Sequence, residues 1–172
     1  MFGGAEEILR GELEKSINSL EINQSFNIIL FEETSDRMGF IALSRNPLPA
    51  NATNKARGAL FAQNIEVHGL GNPLPAFREA FSEVPQTICL ITNGMFLDDA
   101  ASVAKITADL AQRNHEHRVR VNVIMVESDE PPSGENDSYR QQNEAAMKEI
   151  ASENGGTFRV LHPGDSKLFP EK

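Results

Sequence analysis

At 172 residues, 40% of them hydrophobic and 24% charged, the chain is long enough to bury a sizeable core and has the make-up of a folded domain. Its formal net charge of −9 argues against nucleic acid as a partner, because such binders carry a basic footprint. No apolar run approaches the roughly 18–20 residues of a membrane span. The opening MFGGAEEILRGE has no basic-then-apolar signal design, so no membrane contact is expected from this chain and the cytoplasm is the default compartment.

Glu6–Leu20 predicts an amphipathic helix with Leu9, Leu13, Ile17 and Leu20 inward and Glu12, Glu14 and Lys15 on the wet side. Ser25–Glu32, SFNIILFE, is a nearly continuous apolar run and reads as one strand buried on both faces. Met38–Leu43 follows too soon for a parallel crossover, which needs about a dozen residues or more. It should therefore pair antiparallel, at the sheet edge. Ser44–Asn54 reads as a loop, with Thr53 or Asn54 capping a helix to about Glu66 that presents Ala56, Leu60, Phe61 and Ile65. His68–Pro73 is a turn. Asn72 then caps a helix over Pro73–Val84 with Pro73 in its first position.

Ile88–Ile91 is apolar without alternation, the pattern of a strand covered on both faces. Its lone cysteine, Cys89, is expected to be a buried structural thiol. Thr92-Asn93-Gly94 breaks the strand, and Asp98 or Asp99 opens a helix to about Asn114 with Val103, Ile106 and Leu110 inward. Arg118–Glu127 enters the core as a further parallel strand, and Ser128–Ser138 is an acidic surface loop. Tyr139–Asn154 is a helix with Ala145, Ala146, Ile150 and Ala151 inward, closed by Gly155-Gly156. Thr157–Leu161 is the last strand, and residues 163–172 form a loosely ordered tail. Alternating strands and helices predict an α/β fold: three layers, doubly wound, with a mostly parallel sheet, one antiparallel edge strand and helices on both faces.

Candidate chemistry is sparse. Gly69-Leu70-Gly71-Asn72-Pro73 lacks the third glycine and the preceding strand of a dinucleotide loop, so it reads as a turn. His115-Glu116-His117 could begin a metal site, but no third ligand completes it. Asp98-Asp99 suits a helix cap, and Glu127, Asp129 and Glu130 suit a wet loop. No Ser-His-Asp order or nucleophile elbow is visible. Neither catalytic nor metal-ligating residues are assigned, and no enzyme activity is expected.

Six stretches together carry a family resemblance: ELEKSINSL followed by FNIILFE, then GLGNPLPAFREAF, ICLITNGMFLDD, VNVIMVE and EIASENGGTFRVL. On these the chain resembles the von Willebrand factor type A domain, in particular its bacterial branch, from Glu6 to Leu161, so that residues 1–162 would be one such domain. The family presents a metal-ion-dependent adhesion site at the carboxyl ends of its strands. Its ligands are an Asp-x-Ser-x-Ser after the first strand, a threonine in a Gly-rich loop and an aspartate after a central strand. Mg²⁺ in such a site keeps an open position for a partner's carboxylate.

This sequence departs from the pattern in all three loops. The first motif is missing, and Met1 suits the methionine that often follows it, so the family's first strand is expected to lie upstream. Gly71 takes the threonine's place, beside Asn72, and the Thr-Asp-Gly of the third loop stands as Thr92-Asn93-Gly94. Without charged ligands no cofactor is expected, Mg²⁺ entering only if an upstream metal loop exists.

The resemblance implies a degenerate domain that binds another protein as a scaffold through these loops. One alternative is a metal-dependent adhesion module whose Asp-x-Ser-x-Ser loop lies upstream. The other is a small α/β enzyme or nucleotide binder using an Asn72/Asn93 crevice.

Overall fold

The computed structural model describes residues 3–31, 39–65, 71–94, 100–116, 118–127 and 137–162, with backbone alone for residues 3, 100–102 and 137–140. In chain order the elements are α1 (Gly3–Asn18), β1 (Ser25–Phe26), β2 (Ile29–Phe31), β3 (Phe40–Ala42), β4 (Leu48–Pro49), α2 (Ala52–Gln63), α3 (Leu74–Ser82), β5 (Thr87–Thr92), α4 (Ala100–Arg113), β6 (Arg120–Val126), α5 (Asp137–Glu153) and β7 (Phe158–Leu161). The fold is α/β, with a parallel sheet β5-β6-β7 and two antiparallel pairs, β1–β4 and β2–β3. The chain forms two compact units, Met1–Leu9 with Pro85–Lys172 and Arg10–Val84, divided inside α1. Asp98-Asp99, His68, His117, Asp129, Glu130 and the tail 163–172 lie outside the described residues.

In the first unit, β5 pairs in parallel with β6 from Thr87↔Arg120 to Thr92↔Met125, and β6 with β7 from Val123↔Phe158 to Val126↔Leu161. Each connection passes through a helix, as parallel neighbours require. Val121, Val123, Ile124, Met125 and Val126 are all buried, so β6 is covered on both faces as its apolar run predicts. Ile8 and Ala5 of α1 pack with Ile91, Ile124, Val126 and Leu161 on one face. Ile106 and Leu110 of α4 are buried, as are Ala146, Met147, Ile150 and Ala151 of α5, whereas Ala145, expected inward, is exposed.

Helix α5 ends as its glycines predict. Gly156 N–H donates to Ala151 O at 2.9 Å, and Gly155, at φ +64°, donates to Ser152 O at 3.3 Å, which satisfies the last carbonyls. Buried Asn114 and Asn154 tie the two helix ends together. Asn114 Nδ2 donates to Asn154 Oδ1 and Val119 O, both at 2.7 Å, and its Oδ1 accepts from Val119 N–H at 3.0 Å.

Cys89 corrects the expectation of a buried thiol: it is exposed. β5 is fully buried only at Leu90 and Thr92, and the α1 cluster reaches Ile91 without including Cys89. An apolar run thus marks a central strand correctly in β6 and overstates burial in β5, whose only ladder partner among the described residues is β6.

In the second unit, Leu13 and Ile17 of α1 pack with Phe26, Ile28, Leu30, Leu43, Leu48 and Phe61. Glu12, expected on the wet side, is instead buried and bonded to Lys15 Nζ at 2.7 Å. The expected single strand Ser25–Glu32 is two strands, because Asn27 inserts its side-chain amide into the ladder. Its Oδ1 accepts from Ile28 N–H at 2.9 Å and Ser44 N–H at 3.2 Å, and its Nδ2 donates to Ser44 O at 2.8 Å. That amide replaces a peptide group and hands β1 to β4 and β2 to β3. The two residues of β4, Leu48-Pro49, lie in a stretch that composition alone reads as loop.

β2 and β3 pair antiparallel from Ile29↔Ala42 to Phe31↔Phe40, as the short connection requires, and Ile41 is exposed as an edge residue. α2 is capped by Asn51, whose Oδ1 accepts from Asn54 N–H at 2.9 Å, rather than by Thr53 or Asn54. It buries Gly58 and Ala62, with Gly58 against Phe26 and Ile17, while Leu60 points outward.

Candidate functional site

The carboxyl end of β5 is where a ligand wall is expected in an open α/β sheet, and Thr92-Asn93-Gly94 stands there. Thr92 faces inward, 3% exposed, and its Oγ1 accepts the Gly94 N–H at 3.0 Å. Gly94 has φ +76°, a left-handed turn that glycine takes without strain. A Cβ there would meet Met125 Cε at 3.0 Å, so the turn is packed tightly onto β6. Asn93 between them is half-buried. The three residues form a closed strand-to-helix turn whose hydroxyl is engaged locally.

Gly71 and Asn72 belong to the other unit. Gly71 is buried against the Phe31 ring: a Cβ on it would stand 2.8 Å from Phe31 Cδ2 and 3.4 Å from Phe31 O. A threonine could not occupy this position without moving that ring. Asn72 Oδ1 accepts from Leu74 N–H at 3.0 Å, but the N-cap of α3 is buried Pro73, not Asn72 as the sequence suggests. The helix itself runs over Leu74–Ser82, shorter than Pro73–Val84.

Two further side chains stand at strand ends. Glu127 follows β6 and His162 follows β7, and His162 Nδ1 lies 2.6 Å from Glu127 Oε2. Glu127 N–H donates to Leu161 O at 2.9 Å, one rung past the ladder, which sets the two residues abreast. Read singly, Glu127 belongs to an acidic loop and His162 merely follows the last strand. Their shared position, each directly after a predicted parallel strand, was the signal that pairs them.

His115, by contrast, is exposed in a turn, with Nε2 3.6 Å from Glu116, which also pairs with Arg118 at 2.6 Å. Among the described residues no group of three or more His, Cys, Asp or Glu side chains could hold a metal ion.

Glu83, which sequence reading passed over, is held at the end of α3. Its Oε1 accepts from Asn27 Nδ2 at 2.6 Å. Burial raises its pKa above the ordinary value, the Asn27 bond opposes this and the Glu79 charge adds to it.

No helix among the described residues is long and apolar enough to cross a membrane. Neither protein-family models nor curated proteins give a match to this chain.

Proposed function

We propose that the chain is a von Willebrand factor A-like domain that binds another protein without catalysis and without a resident metal. The observation that carries this is the Phe31 ring against Gly71, which fills the space of a ligating threonine. Thr92-Asn93-Gly94 supports it, since the turn brings no charged side chain and its hydroxyl already accepts the Gly94 N–H. Mg²⁺ sheds its water reluctantly and needs carboxylate ligands in near-octahedral geometry to offset that cost. The α/β fold and its parallel sheet fit a family of protein-binding modules, although fold alone assigns no partner.

The test has two arms. A divalent ion at about 100 times its Kd would stabilise the fold by roughly 2.7 kcal/mol. Melting curves in millimolar Mg²⁺ or Mn²⁺ and in chelator should therefore coincide. A partner captured from the source cells and then purified should bind the chain with the same Kd in chelator. A melting temperature that rises with metal, or binding that needs metal, would favour the adhesion-module reading. Stabilisation by nucleotides with no reconstituted partner would favour a small-molecule binder.

A further inference from the structure

Asn93-Gly94 is a reactive pair held in an unreactive arrangement. An asparagine amide can be attacked by the backbone nitrogen of the residue that follows it. Glycine leaves that nitrogen most open, because no Cβ shields it. In this reaction the Gly94 nitrogen gives up its proton and bonds Asn93 Cγ, and the Cγ–Nδ2 bond breaks. Nδ2 departs as ammonia, taking up that proton, and a cyclic imide remains. Water then opens the imide. Addition at Cγ gives aspartate, and addition at the backbone carbonyl carbon gives isoaspartate. Water is the sole co-reactant.

The turn after β5 opposes the first step. The attacking nitrogen is already committed, since Gly94 N–H donates to Thr92 Oγ1 at 3.0 Å. Thr92 is 3% exposed and Gly94 is buried, so water competes poorly for that bond. A neutral hydroxyl is too weak a base to remove the proton it accepts. Closing the imide ring re-aims the Gly94 peptide at the Asn93 side chain, so the Thr92 bond must break first. The turn also has little slack: the place of a Cβ on Gly94 lies 3.0 Å from Met125 Cε and 3.8 Å from Asn143 Cβ. Asn93 itself is half-buried, within reach of the water that completes the reaction.

We propose that Asn93-Gly94 is a deamidation site latched by the Thr92 hydroxyl, silent while the turn is closed and converted to aspartate and isoaspartate when it opens. Either product adds a negative charge at the carboxyl end of β5. Isoaspartate also routes the backbone through the side chain, and the added methylene does not fit a turn packed this closely on Met125. A transient local opening is thereby written into the chain as a lasting change. The proposal does not rest on the protein-binding reading above.

The experiment incubates the full chain in mildly alkaline buffer, folded and in concentrated urea, and follows the Asn93 peptide by mass spectrometry. The parent should convert slowly when folded and much faster in urea, giving isoaspartate as well as aspartate. Folded Thr92→Val should convert about tenfold faster than the folded parent, the factor one buried hydrogen bond is worth. Thr92→Ser, which keeps the hydroxyl, should match the parent. Ile150→Val weakens the same unit away from the turn and should also match it, which separates opening of the turn from global unfolding. Hydrogen exchange in the parent needs no variant, and the Gly94 amide should be protected. Equal rates in the folded and urea-unfolded parent would overturn the proposal. So would a Thr92→Val rate no higher than the parent's, an Ile150→Val rate as high as that of Thr92→Val, aspartate without isoaspartate, or a Gly94 amide that exchanges as in an unfolded chain.

Discussion

A single methyl group separates two glycines with opposite roles. A Cβ on Gly156 would stand 1.9 Å from Val121 O and 2.4 Å from Val121 C, so α5 can close onto β6 only with hydrogen at that position. Gly156→Ala should cost about 3 kcal/mol or more, because backbone rather than a flexible side-chain tip must give way. Gly11 lies within α1, and a Cβ there meets nothing within 4 Å. Gly11→Ala should stabilise by about 1 kcal/mol through helix propensity. Urea denaturation of both variants checks the pair: a Gly156→Ala protein as stable as the parent would mean that the α5–β7 turn is not as tight as described. The Gly155-Gly156 stop was legible in the sequence, since a helix pattern ending in two glycines has a specific backbone use. Which of the two was sterically essential was not, because Val121 is remote in sequence.

At the scale of elements, the break between β1 and β2 is the work of one amide. Asn27→Ala would leave Ile28 N–H and both Ser44 backbone groups without their partner. The expected cost is about 2–3 kcal/mol, the penalty of several part-buried groups losing bonds together. A loss under about 0.5 kcal/mol in chemical denaturation would show that the ladder can close without the side chain.

Glu83 meets the same amide and makes stability depend on pH. Its folded-state pKa is raised above 4.5, first by burial. The folded state therefore holds this proton more tightly than the unfolded chain. The resulting penalty is complete above the raised value, shrinks as pH falls through it, and is gone below the unfolded value. Glu83→Gln, which keeps an oxygen for Asn27 Nδ2, should melt higher than the parent at pH 7–8, and the difference should vanish below about pH 4.5. A variant that melts lower at neutral pH would show that the charged form is the one the fold favours. The run SFNIILFE contains nothing that announces this arrangement. Its polar residue looks like a minor interruption, and only Ser44 and Glu83, far along the chain, reveal what it does.

For the molecule as a whole, the α/β class and the parallel strands were legible because short apolar stretches alternate with helical patterns, β6 alone being buried along most of its length. The antiparallel β2–β3 pair was legible because the connection is too short for anything else. Burial on individual faces was not: Cys89 and Leu60 are exposed and Glu12 is buried, since coverage depends on which neighbours arrive. Of the candidate site, the Thr92-Asn93-Gly94 turn was readable locally. The Glu127–His162 pairing needed the strand register. The closed turn at β5 also bears on metal binding. Under the proposed A-type reading, Asn93→Asp would supply the carboxylate that such domains carry in this loop, while Gly71 has no side-chain oxygen to ligate with. The variant should remain silent to Mn²⁺ in calorimetry and in melting curves, and clear binding by the variant alone would show that this one loop controls the site.

The division inside α1 also governs the order in which the protein can be made. Arg10–Val84 is an unbroken stretch, whereas the unit of the parallel sheet is assembled from two pieces that flank it in the sequence. A nascent chain therefore completes Arg10–Val84 while Ile8 still waits for Ile124 and Val126, its packing neighbours. Roughly a hundred residues separate them, on the order of 5–20 s of translation at typical rates. Throughout that interval the amino-terminal turns of α1 lack the β6 strand they cover, so they become protected later than the unit that follows them in the sequence.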